Sequence, residues 1–162
     1  MKKPVTIQLK LAEIIYDIQN KTYLTGRSLQ NGSNHSHVAN MQANDDDENS
    51  AQILRSITSA YAVLRNRLAE YLDSEESITT NDSLTLEDSL SLSLNMPSNF
   101  NANVTKSIGE VIHQFIVAYS VADWFVITAK GETGDYTKEA DAALDILEQI
   151  LCKRSRPLRA TK

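Results

Sequence analysis

The residues with the chemistry to form a site are few. His35 and His37 stand two apart, shortly before the run Asp45-Asp46-Asp47-Glu48. Imidazole and carboxylate together can hold a transition metal. Both histidines sit in a polar stretch with no other histidine nearby, and a solvated loop is the plainer reading. The acidic run could attract calcium, but it lacks the alternating ligands, central glycine and distant glutamate of a calcium-binding hand. Acid at a helix start is instead favoured by the helix dipole. His113 and Asp123 could share acid–base work. They are ten residues apart in one apolar helical pattern, about 15 Å along a helix axis, so they cannot act on each other directly. Cys152 has the basic neighbours that activate a thiol. It also closes a helix, where the dipole disfavours a thiolate, and no histidine follows it. The chain carries no phosphate-binding glycine loop, no dinucleotide glycine pattern, no Gly-x-Ser-x-Gly and no His-Glu-x-x-His. The expectation is a protein with no catalytic residues, no metal and no cofactor, and not an enzyme.

The elements around these residues read as mainly α, a bundle of about four helices with a short N-terminal strand and a β-hairpin insertion. Val5, Ile7 and Leu9 alternate with polar residues, as a half-buried strand does. From Lys10 the period changes, and Leu11, Ile14, Ile15 and Ile18 fall on one helical face, extending towards Leu24 and Leu29. Residues 31–49 have only Val38 and Met41 as sizeable apolar groups and read as a long mobile loop, of the kind that is usually functional. A second helix keeps three-and-four spacing through Ile53, Ile57, Ala60, Tyr61, Leu64, Leu68, Tyr71 and Leu72.

Leu84, Leu86, Leu90, Leu92, Leu94 and Met96 share one parity, so they face one side of an extended segment. A turn at Glu87-Asp88 would fold this segment into a hairpin over about 83–97, ended by Pro97. A third helix, capped near Asn103 or Ser107, runs through Ile108, Val111, Ile112, Phe115, Ile116, Tyr119, Trp124, Phe125 and Ile127. It is apolar over much of its girth and should be the central helix. Lys130 to Gly134 gives a reversal, and a fourth helix from about Asp135 carries Ala140, Ala143, Leu144, Leu147, Ile150 and Leu151. Trp124 and Phe125 could be core or an interface anchor. Residues 1–153 thus form a single helical domain, and 154–162 a basic C-terminal arm.

Charge divides along the chain in the same way. The 162 residues carry 16 bases and 21 acids, a net of −5. Residues 1–10 and 153–162 hold eight of those bases and no acid, which leaves −13 on residues 11–152. Such a body is unsuited to coating nucleic acid, while its ends could dock into acidic partners. One cysteine allows no intrachain disulfide and points to a reducing compartment. The N-terminus lacks the apolar core of a signal peptide, so the Asn-x-Ser/Thr triplets, among them those at Asn31, Asn34, Asn81 and Asn103, are read as chance. Phe115 to Ala129 is the most apolar stretch, shorter than a membrane span and interrupted by Asp123, so no membrane is expected.

This order of elements, with Val121-Ala-Asp-Trp-Phe125 in the third helix and the terminus Cys152-Lys-Arg-Ser-Arg-Pro157, resembles the small head–tail connector (adaptor, or neck) proteins of tailed phages. The likeness is nearest to versions from phages and prophages of gut Bacteroidetes. The layout is similar over residues 5–159 and more specifically so over about 104–159. The resemblance implies a structural virion protein, assembled in the host cytoplasm and located at the neck. Its subunits would form a ring of, usually, twelve copies below the portal protein. That ring extends the DNA channel, through which DNA passes without sequence-specific contact, and it carries tail or other neck proteins. Docking on the portal or a neighbouring subunit would fall to Lys153, Arg154, Arg156, Pro157 and Arg159. The loop at 31–49 and hairpin contacts by Leu90, Leu92 and Leu94 would reach neighbours. The alternative is a small helical regulatory or antitoxin-like binding protein using its basic C-terminal tail on nucleic acid. A third option is a hydrolase built on His113 and Asp123.

Overall fold

A computed structural model describes residues 1–73, 81, 84 and 89–157 of the chain. Among these the elements run β1 (Lys3–Lys10), α1 (Leu11–Ser28), α2 (His35–Met41), α3 (Asp47–Arg67), β2 (Ser89–Met96), a 3-10 turn (Ala102–Val104), α4 (Thr105–Thr128) and α5 (Thr133–Leu151). The protein is mainly helical with a two-stranded antiparallel sheet.

α4 is the central element, and its composition explains why. Ile108, Ile112, Phe115, Ile116, Val121 and Phe125 are buried on successive faces, so the helix needs partners nearly all round. α1, α3 and α5 supply them, each offering a single apolar stripe. Residues 102–128 are long and apolar enough to cross a membrane by length and composition, and 61% of their most apolar window is buried inside this fold. The four-residue link from Ala129 returns α5 antiparallel along α4, with Ala140 and Ala143 allowing close approach. No glycine in the described chain takes positive φ, so this reversal does not use the left-handed backbone that Gly131 would permit.

The sheet departs from the expected hairpin. β2 pairs antiparallel with β1 over its whole length, from Lys3 opposite Met96 to Lys10 opposite Ser89. The alternating leucines do face one side: Leu90, Leu92, Leu94 and Met96 are all buried, while Ser89, Ser91 and Ser93 are exposed. Alternation fixes which face goes inward, but it carries no information about which strand lies alongside. The other edge of β2 meets residues 71–73, through Asp73 N–H donating to the Ser93 carbonyl (3.1 Å) and Asn95 N–H to the Tyr71 carbonyl (2.6 Å). The proposed turn at Glu87-Asp88 lies outside the described residues, as does Leu86.

The helix count also changes. Residues 31–49 were expected as one mobile loop, yet they contain α2 and the first turn of α3, making five α-helices among the described residues. Met41 and Ala43 are fully buried and fasten the segment to the core. Seven residues with a single buried side chain are too few to show a helical period, which is why the sequence reads as loop there.

Candidate functional site

The basic ends of the chain, far apart in sequence, meet at one carbonyl. Phe100 is buried, and its carbonyl accepts from Lys3 Nζ at 3.1 Å and from Ser155 Oγ at 3.3 Å. Around it the C-terminal segment pairs with residues 99–101. Asn101 N–H donates to the Lys153 carbonyl (3.2 Å), Ser155 N–H to the Asn99 carbonyl (2.8 Å), and Phe100 bridges Arg154 antiparallel. The Arg154 guanidinium also donates to the Leu151 carbonyl at 2.7 Å, which satisfies an acceptor left open by the end of α5. The start of the arm is therefore held by backbone bonds, while the side chains of Lys153, Arg154, Arg156 and Pro157 stand exposed. Arg159 lies outside the described residues. Lys3 joins these groups to make one basic pole. Sequence reasoning found both charged ends but not their meeting, which depends on pairing across about a hundred residues.

The other partner-contact candidates are taken up by the interior. Trp124 is 6% exposed and its indole N–H donates to the Met41 carbonyl at 2.8 Å. Phe125 is fully buried and tilts against the Tyr136 ring at 5.5 Å. Of the two readings left open for these aromatics, the core is where the structure places both. Leu90, Leu92 and Leu94 are likewise core residues, so β2 offers solvent its serines.

The remaining chemical residues disperse. His113 and Asp123 point to different neighbours. His113 Nε2 lies 2.6 Å from Asp17 Oδ2 of α1, and Asp123 accepts a short hydrogen bond from the buried Ser56 hydroxyl of α3. The His113–Asp17 pair borders an open groove of about 580 Å³ along β1, whose only hydroxyl side chains are Thr6 and Thr105. An imidazole–carboxylate pair orients a base, yet among the described residues no serine or cysteine lines that groove to be activated. His35 contacts Gln30 at 3.0 Å, His37 is exposed, and Asp45 accepts from Gln19 at 2.5 Å. Among the described residues no three metal-ligating side chains converge. Cys152 is exposed beside Asp145, Glu148 and Lys153.

Comparison with known proteins adds no relative: no family model, no curated protein and no solved structure matches this chain.

Proposed function

We propose that this chain is a structural subunit of a phage head–tail connector, assembling as a ring below the portal and carrying tail or other neck proteins. The observation that carries this reading is the basic pole at Phe100, where Lys3, Lys153, Arg154 and Arg156 gather at one end of an otherwise acidic molecule. A pinned base with exposed charged tips suits docking, because little of the arm's backbone remains to be ordered on binding. The resemblance in helix order and terminal sequence supports the same assignment. Ring closure then follows from repeated heterologous contact between copies. The −13 on residues 11–152 would keep passing DNA from adhering to the subunit walls.

The test is truncation after Ser155, which removes Arg156 and everything beyond it but leaves the backbone pairing with residues 99–101. Full-length protein mixed with the portal should form rings on it by negative-stain imaging, and the truncated protein should not. Rings that form equally well without those residues would remove the arm from docking. Full-length protein that stays monomeric beside the portal would sink the connector reading. A salt-sensitive nucleic-acid affinity lost on truncation would favour the regulatory alternative.

A further inference from the structure

Among the described residues β1 is paired on one side only. β2 lies along one edge, and among the described residues no backbone group bonds the other. That open edge is one wall of the groove noted beside His113. Thr6 to Lys10 form the wall, and Thr105, Lys106, Gly109, Glu110 and His113 of α4 form the floor, with Glu13 and Asp17 of α1 at one end. Gly109 gives the floor its depth, since a Cβ there would meet only Ile7 Cγ2, at 3.8 Å. A row of unpaired peptide groups beside such a trough is what added strands recognise.

The charges along the groove are ordered. Lys3 reaches the Phe100 carbonyl just ahead of α4, and Gly109 is level with Ile7, so α4 runs in the same direction as β1 here. Lys106 therefore lies towards the start of β1. Glu13, Asp17 and Glu110 lie towards its end, together with Lys10 and with His113, which Asp17 engages. A segment antiparallel to β1 would place its N-terminal half against the carboxylates and its C-terminal half against Lys106. A second copy pairing antiparallel through its own β1 would turn its Lys10 towards Lys106, like charge to like, whereas a segment with an acid in its C-terminal half meets Lys106 favourably.

We propose that the free edge of β1 is a docking site for an extended segment of a partner protein, added antiparallel as a third strand, with a basic side chain in its N-terminal half and an acidic one in its C-terminal half. The site is independent of the basic pole and of the ring assignment.

Two amidated heptapeptides test it on the full-length chain: acetyl-Lys-Val-Thr-Val-Thr-Val-Glu and its charge-reversed form, acetyl-Glu-Val-Thr-Val-Thr-Val-Lys. Amide NMR titration should show saturable shifts in Thr6 to Lys10 with the first peptide, at an affinity roughly threefold or more above the second. Methylating alternate backbone nitrogens of the first peptide should abolish binding. Gly109→Gln fills the trough from an uncrowded position and should also abolish it, with the thermal midpoint of the free protein showing that the fold persists. If that variant unfolds, the N-methylated peptide still decides the matter. Absence of shifts in β1 at millimolar peptide would overturn the proposal, and so would equal affinity for the two peptides. Concentration-dependent dimerisation lost in Gly109→Gln would overturn it in favour of self-pairing.

Discussion

Two irregular segments of this molecule look alike in sequence and are held in opposite ways. Residues 41–43 and residues 153–157 both leave the end of a helix and both are short of a regular period. The first is fixed through side chains and buried surface. Met41 and Ala43 are enclosed, Thr22 Oγ1 accepts from Ala43 N–H at 3.1 Å, and the Trp124 indole donates to the Met41 carbonyl. The second is fixed mainly through backbone pairing, with Arg154 and Ser155 adding side-chain bonds to the Leu151 and Phe100 carbonyls and no side chain buried. A buried plug commits a segment to the fold, whereas backbone pairing positions it and leaves its side chains free for something else. The segment expected to be mobile and partner-facing supplies the plug, and the arm expected to reach a partner starts from a base paired to residues 99–101.

The largest effect should come from removing the plug's main contact. Trp124→Ala deletes both its packing and the only hydrogen bond seen to the Met41 carbonyl, and should cost about 3–5 kcal/mol. Chemical denaturation would measure it, and a loss near that of a surface substitution would mean that the 41–43 segment is not anchored. Gly26→Leu attacks the same clamp from α1. A Cβ at Gly26 would lie 3.3 Å from the Val38 carbonyl oxygen, so a larger side chain must push α2 away. Overpacking of this kind costs about 1–3 kcal/mol, outweighing the gain in helix propensity of about 1 kcal/mol. Faster amide exchange throughout α2 should accompany the drop.

Thr22→Val is subtler because shape is nearly kept. It strands the buried Ala43 N–H, at a cost of about 1–3 kcal/mol, and also removes the donation to the Gln19 carbonyl at 2.9 Å. A change below about 0.5 kcal/mol would show that water reaches Ala43, which would make the two segments alike after all.

How much of this was legible in the sequence follows from the range of each signal. α4 was plain because Ile108 to Phe125 repeat an apolar pattern over several turns, and α3 for the same reason. α2 was invisible: Val38 and Met41 were its only sizeable apolar residues, three apart, and that pair was the sole trace. The inward face of β2 could be read from parity, but its pairing with β1 spans roughly eighty residues, beyond any local pattern. The basic pole was half legible in the same sense. Lys3 and Arg154 could be counted, while their convergence on Phe100 is set by the strand register at one end and the α4–α5 reversal at the other.

The smallest expected effect is the one that separates the two segments most cleanly. Truncation after Ser155 removes only chain beyond the last backbone bond seen to residues 99–101, and the two described residues it takes, Arg156 and Pro157, are exposed. Exposed residues with no packed partner contribute within about 0.5 kcal/mol to stability. The denaturation midpoint should therefore stay where it is, although the same truncation is expected to end docking on the portal. Extending the cut to remove Lys153 should behave differently, because it leaves the Asn101 N–H and the Asn99 carbonyl without partners. A stability loss that appears only with the longer cut would place the boundary between fold and arm at Ser155. A loss of more than about 1 kcal/mol with the shorter cut would mean that the residues past Ser155 belong to the fold, erasing the contrast with the plug at 41–43.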